Sequence, residues 1–432
     1  MNITFIETKS PKFKSAFKGI IQRRGEKEEK VEGSVQEIIR AVRRRGDLAL
    51  TRYARLFDGV RLKRTEIEVK PKDLDEAMRL ISKENLQALR FAAQRIARFH
   101  RHQVEKSWRY RDPLGIVLGQ NMNPLERVGV YVPGGKACYP SSVLMNVIPA
   151  KVAGVKEVVM ACPLGIGAVP ILAAARIAQV DRVFRVGGAQ AIAAMAYGTE
   201  TIPTVDKIVG PGNIYVATAK RLVFGQVGID SIAGPSEVLL LVDSSADPSY
   251  VAADMLSQAE HDEMAAALCV TPSHIMGLKV KAALEKQLKV TKRKAITLKA
   301  LERFGAIIVT RGLTEGVDLV NAIAPEHVEV IAQNSRKWAG LIRNAGAIFV
   351  GPYTTPPLGD YMAGPNHVLP TGGRARFFSP LGTYDFVKRT SFIQSSKRGL
   401  TSLAPWIVKL AHLEGLDEHA RAVTLRIKKD VE

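Results

Sequence analysis

Cysteine is scarce in this 432-residue chain: Cys138, Cys162 and Cys269 are the only three, and none forms a C-x-x-C pair. That excludes a disulfide-framed scaffold and a thiolate metal site, and points to a reducing compartment. Long apolar runs are also missing. No stretch approaches the roughly 18 uncharged apolar residues of a membrane span, and the N-terminal MNITFIETKSPKFKSAFKG lacks the apolar centre of a signal peptide. A cytoplasmic protein with no membrane partner is expected. Acidic residues are under-represented, 42 against 62 Lys and Arg, for a formal net charge of +20. Such an excess raises the question of nucleic acid, but the clusters are small (Arg43-Arg44-Arg45 and residues 292–294) and aromatics are only 6% of the chain. With no interleaved aromatic or zinc-finger pattern, a solvated basic surface and no nucleic-acid partner are expected. The dinucleotide fingerprint G-x-G-x-x-G is absent as well, since Gly165-Ile166-Gly167 is followed by Pro170.

What the chain does have is alternation. Residues 1–125 read mainly as helices, with charged joints at 22–33 and 105–113 and an amphipathic pattern in QEIIRAVRRRGDLALTRYARLF. From 126 to about 350, short β-branched runs (RVGVYV, EVVMA, KIVG, EVLLLVD, ALCVTP, AIIVT, VEVIA, AIFVG) alternate with Ala-rich helical segments. That spacing argues an α/β protein with two incomplete Rossmann-like parallel-sheet lobes. The last fifty residues return to helix, giving helical segments at both ends.

Four glycine-rich turns, at 132–136, 186–190, 209–213 and 233–237, stand at the ends of such strands. Each could let a phosphate approach the backbone, with the next helix N-terminus supplying N–H donors. Gln258 and His261 in SQAEHD are three apart after an apolar-periodic stretch, so on one helix they share a face, a metal-ligand spacing. Glu326 and His327 are adjacent in APEHVEV; in a regular strand they would point to opposite faces, so both serve one site only if Pro325 breaks the strand or if the two address different sides of a substrate. Asp360 lies in the irregular, Gly/Pro-rich PLGDYMAGPNHVLPTGG, which suits a site-lining loop. Glu414 and His419 flank Gly415, where one helix ends and another starts. Taken from residue types alone, these groups serve a metal-dependent dehydrogenase, a zinc hydrolase, or, through the basic surface, a nucleic-acid-binding protein. Cys138 offers a thiol route to carboxylates, but no adjacent histidine activates it.

The strings RVGVYVPGGKACYPSSVLMNVIPAKVAGV, GGAQAIAAMAYGTETIPTVDKIVGPGNIYVATAKR, GIDSIAGPSE, DMLSQAEHD, APEHVEV, GDYMAGPNHVLPTGG, YDFVKRTS and EGLDEHA, in this order, resemble the histidinol dehydrogenase family over nearly the whole chain. The resemblance implies a zinc- and NAD-dependent enzyme that oxidises L-histidinol through bound L-histidinaldehyde to L-histidine. It implies metal ligands at Gln258, His261, Asp360 and His419, and an acid/base pair at Glu326 and His327. Substrate contacts would fall on Ser236, Glu414, His327 and the metal ligands, and dinucleotide contacts on Tyr131, Gln190 and Asn213. It further implies a homodimer whose C-terminal segment reaches the partner's site. The lobes expected are 27–129 with 238–381 for metal and catalysis and 130–237 for the dinucleotide, with 1–26 and 382–432 exchanged between subunits.

Overall fold

The computed structural model describes residues 1–22, 28–134, 138–165, 168–232 and 234–427. Its strands, in chain order, are β1 (Thr4–Glu7), β2 (Trp108–Arg111), β3 (Val117–Pro124), β4 (Arg127–Tyr131), β5 (Glu157–Ala161), β6 (Arg182–Phe184), β7 (Lys207–Val209), β8 (Gly228–Ile229), β9 (Glu237–Val242), β10 (Ala266–Thr271), β11 (Ala306–Val309), β12 (His327–Ile331), β13 (Ala347–Val350) and β14 (Val387–Gln394). Two compact units result, Met1–Gln103 with Glu126–Phe386, and Val104–Leu125 with Val387–Glu432.

The first unit contains two parallel sheets. One runs β6-β5-β4-β7-β8 and the other β1-β11-β10-β9-β12-β13. Both follow the same logic: the first strand of each βαβ series, β4 or β9, lies inside the sheet, and the chain winds outward one way and then the other. Each therefore carries a topological switch point, between β4 and β7 and between β9 and β12. The strands are apolar throughout; Glu237–Val242 is buried at every residue, as a central parallel strand covered on both faces must be. Side chains alternate strictly. Leu240 and Val242 join one core with Val251, Met255 and Leu284, while Leu239, Leu241, Val328 and Val330 join another with Val317 and Val320 on the opposite face.

The N-terminal segment, read from sequence as helical, begins with β1, which adds in parallel to β11 at the sheet edge. A four-residue strand carries too little periodicity to register against the helices that follow. In the second unit, β14 and β2 flank β3 in antiparallel pairing, and the helices Lys397–Leu413 and Asp417–Ile427 follow. No helix of the described residues is long and apolar enough to cross a membrane.

Candidate active site

Ala324 ends the helix Leu313–Ile323 in a left-handed conformation, φ 51°, so the chain reverses before Pro325 and β12 starts only at His327. Glu326 thus lies outside the strand, and the rule that adjacent residues face apart does not bind it. Both side chains turn to Glu237, the first residue of β9. Its N–H donates to Glu326 Oε2 at 2.8 Å, and its carbonyl oxygen lies 3.2 Å from His327 Nδ1. Ser236 is the preceding residue and half-buried.

The imidazole stands between two carboxyls, with Nδ1 3.7 Å from Glu326 Oε2 and Nε2 3.7 Å from Asp360 Oδ1. Nε2 is buried and has no hydrogen-bond partner among the described residues. Buried polar atoms are ordinarily paired, so this nitrogen stands out. Electrostatics follow from the geometry. Burial pushes the Glu326 carboxyl up to about 7, against the opposing pull of His327. Burial alone would depress His327, but Glu326 and Asp360 outweigh it and lift the imidazole to about 9. Burial would raise Asp360 too; the facing His327, together with His367 and His261, holds it below the ordinary carboxylate value instead.

Asp360 belongs to the short helix Pro356–Tyr361, and the loop after it is pinned by Asn366, whose buried amide donates to the Met145 carbonyl at 2.6 Å. His367, in the same loop, has Nδ1 2.9 Å from the Asp360 backbone oxygen. That contact pairs residues seven apart in an irregular loop, so no periodicity announces it. The helix also packs on Phe349, whose ring centroid lies 5.8 Å from that of His327. A Cβ at Gly359 would come within 2.7 Å of Phe349 Cε1. Gly359→Ala is therefore expected to lower stability by about 1–3 kcal/mol through overpacking, seen as a lower midpoint in chemical denaturation.

Gln258 occupies the last turn of the helix Pro248–Ala259, buried, while His261 lies beyond the helix end and is exposed. The shared helix face expected from their spacing is replaced by a tighter turn, in which the His261 N–H donates to the Gln258 carbonyl at 3.3 Å. His261 opens on a cavity of about 580 Å³ walled by Asn85, Leu89, Cys138, Tyr139, Arg293 and Tyr361. That volume suits a small molecule. The Cys138 thiol at its wall is raised by burial, away from the thiolate that a nucleophile needs. Arg293, read from sequence as part of a surface cluster, is a wall residue here.

At the other sheet, Tyr131 closes β4 and Gly210 follows β7, one on each side of the switch point. Gly210 has φ 115°, and a Cβ there would sit 2.1 Å from the Tyr131 carbonyl oxygen, so only glycine fits. The buried Tyr131 hydroxyl accepts the Gly188 N–H at 3.1 Å. Gln190, two residues on, is buried with Oε1 unpartnered among the described residues. Asn213 caps the helix Ile214–Val223, accepting from the N–H groups of Tyr215 and Val216. Of the four glycine turns, those at 186–190 and 209–213 are described in full; Gly135 and Lys136 of the first, and Ala233 of the last, lie outside the described residues. The last turn leads into β9 rather than closing a strand, so the groups around Glu237 sit at strand N-terminal ends.

Glu414 and His419 belong to the second unit, exposed, at the end of one helix and the start of the next. Among the described residues no three His, Cys, Asp or Glu side chains form a metal-holding group.

The sequence pattern of histidinol dehydrogenase matches residues 21–427. Histidinol dehydrogenase from Syntrophotalea carbinolica is 54% identical over 96% of this chain and 97% of its own length. That from Aquifex aeolicus is 54% identical over 94% and 95%. The crystal structure of histidinol dehydrogenase from Elizabethkingia anophelis superposes with a TM-score of 0.93 at 35% identity, covering 99% of this chain and 98% of that one. With a conforming sequence, the same backbone and a buried imidazole set between carboxyls, this chain belongs to the histidinol dehydrogenase family.

Proposed function

We propose that the chain carries L-histidinol through two successive oxidations to L-histidine at one site, with Glu326 and His327 as the acid/base pair. The observation supporting this most directly is the buried His327 imidazole, set between the carboxyls of Glu326 and Asp360 with its Nε2 unpartnered among the described residues. Ser236 borders the same cleft. When bound, NAD would accept the hydrides and zinc would fix the substrate by its nitrogen donors. The donor set fits such an ion: Asp360 is held below the ordinary carboxylate value by His327, with His367 and His261 adding to it, and His261 and Gln258 would add an imidazole nitrogen and an amide oxygen, a mixed N/O set within zinc's range. Tyr131, Gln190 and Asn213, gathered at a switch point, are the residues we assign to the dinucleotide.

His327 accepts the alcohol proton as the first hydride leaves. His327 then returns that proton to solvent, Glu326 takes a proton from the water that adds to histidinaldehyde, and His327, neutral again, receives the proton of the hydrate in the second oxidation. A cation held by Asp360 would weaken the pull of this carboxylate on the imidazole and favour the neutral, basic form of His327. Adding histidinol and NAD to the protein and following NADH absorbance tests the assignment; no NADH would sink it.

The pH profile is a sharper check. A base must be deprotonated to work, and the neighbours of His327 lift it above its ordinary 6.5, to about 9 when both carboxylates act on it. kcat/KM is expected to climb with pH along a limb centred above 6.5. A profile flat across the alkaline range would remove His327 from the role.

We further assign Glu414 and His419 to a homodimer in the cytoplasm, each tail (with the segments 1–26 and 382–432) completing the partner's site, while 130–237 and 27–129 with 238–381 form the two lobes. His261→Asn and His419→Asn chains should each be nearly inactive. Co-refolded in equal amounts, they should regain about a quarter of wild-type turnover, because half of the dimers keep one intact site. No recovery would mean that each tail serves its own chain.

A further inference from the structure

Glu329 is a buried acid on the central strand β12 that the proposed reaction does not use. It lies two residues after His327 on β12, so both side chains leave from the same sheet face, the one covered by the helix Pro248–Ala259. It is 1% exposed, between Leu240 of β9 and Phe349 of β13 in the strand register. Neither carboxyl oxygen has a donor among the described residues. The polar group within its hydrogen-bond reach is another carboxyl, that of Asp254. Two carboxylates so placed repel. One proton held between them turns the repulsion into a hydrogen bond, and burial together with Asp254 favours Glu329 as its holder, lifted to about 10. Asp254 Oδ1 also accepts the Thr355 hydroxyl at 2.7 Å.

The three residues sit on the three elements that bring the site together. Asp254 is one turn before Gln258 on the helix Pro248–Ala259, Glu329 is two residues after His327, and Thr355 immediately precedes the helix Pro356–Tyr361 that bears Asp360. We propose that Asp254, Glu329 and Thr355 form a proton-sharing bracket that sets the spacing of Gln258, His327 and Asp360, making them positioning residues for the oxidation. A buried acid without a salt partner weakens a fold. Its place at the junction of these three elements accounts for its presence. This rests on the assignment of His327 and Asp360 to the reaction.

The bracket needs a donor at 329, not a charge, so Glu329→Gln should keep kcat and KM for histidinol within about twofold, whereas Glu329→Leu should lower kcat by about ten- to a hundredfold. Thr355→Val, which preserves shape and removes only the hydroxyl, should cut kcat several-fold with little change in Tm. The infrared carbonyl band of a protonated carboxylic acid should be present in the wild-type protein at pH 8 and lost in Glu329→Gln. The proposal is overturned if Glu329→Gln is as damaging as Glu329→Leu, if Thr355→Val turns over like wild type, or if no such band disappears. Should Glu329→Leu fail to fold, Thr355→Val and the band still decide. His327→Asn measured alongside separates the two levels. If it loses turnover while Thr355→Val does not, only the bracket fails; if it keeps turnover, the site assignment itself fails.

Discussion

Glu326→Gln is expected to oxidise histidinol to the aldehyde within about tenfold of the wild-type rate and to oxidise the aldehyde about 10²–10⁴-fold more slowly. The reasoning lies in what each half-reaction needs. Alcohol oxidation requires one base, the role proposed for His327. Aldehyde oxidation requires water first, and Glu326, buried and raised to about 7, is poised to take a proton from it near neutrality. A glutamine keeps the oxygen that accepts the Glu237 N–H, so the geometry survives and only basicity is lost. Two readouts check this. NADH formed per histidinol should drop from two toward one, and the aldehyde half-reaction of the wild type should weaken as pH falls through about 7, where Glu326 takes up its proton. The substitution also removes one of the two carboxylates that lift His327, so the pH limb of the alcohol step should move downward. Equal losses in both half-reactions would refute the division of labour, and His327→Asn should impair both.

Why some of this was legible in the sequence and some was not follows from the range of each signal. The α/β alternation is local: β9 reads EVLLLV and β12 HVEVI, and each sheet is built from such runs at βαβ spacing. Pro325 marks a strand boundary in the sequence, and the left-handed Ala324 with a strand start at His327 gives the local geometry. What sequence could not show is pairing at a distance. Asp254 and Glu329 are 75 positions apart, one on a helix and one in an apolar strand. Only the packing of the helix Pro248–Ala259 on the sheet face that carries Glu329 puts them together. The second of these was a usable signal, since a glutamate inside VEVI breaks the apolar run of a central strand. Gln258 and His261 show the opposite error, a spacing read as one helix face where the helix has already ended at Ala259. Boundaries are set by tertiary contacts that local pattern does not contain.

Lys220→Met should be the most destabilising single change outside the catalytic cleft, by about 3–5 kcal/mol. Lys220 is 1% exposed on the helix Ile214–Val223, and its ammonium pairs with the equally sequestered Asp230 carboxylate. The two residues clamp one turn from both sides: Lys220 Nζ donates to the Gly210 carbonyl at 3.0 Å, and Asp230 Oδ2 accepts the Gly210 N–H at 2.8 Å. Methionine matches the stem of lysine, so packing changes little. What remains is a buried carboxylate with backbone donors but no counter-charge, and that, rather than the loss of a favourable pair, is the source of the cost. Adding Asp230→Asn should therefore recover most of the loss, because the amide still accepts from Gly210 without carrying charge. A double-mutant cycle in urea measures this directly; additive costs would show that the pair is not coupled. Because the clamped turn abuts Tyr131 at the switch point, the single variant should also bind dinucleotide more weakly even where it remains folded, and isothermal titration with NAD reads that loss separately from stability.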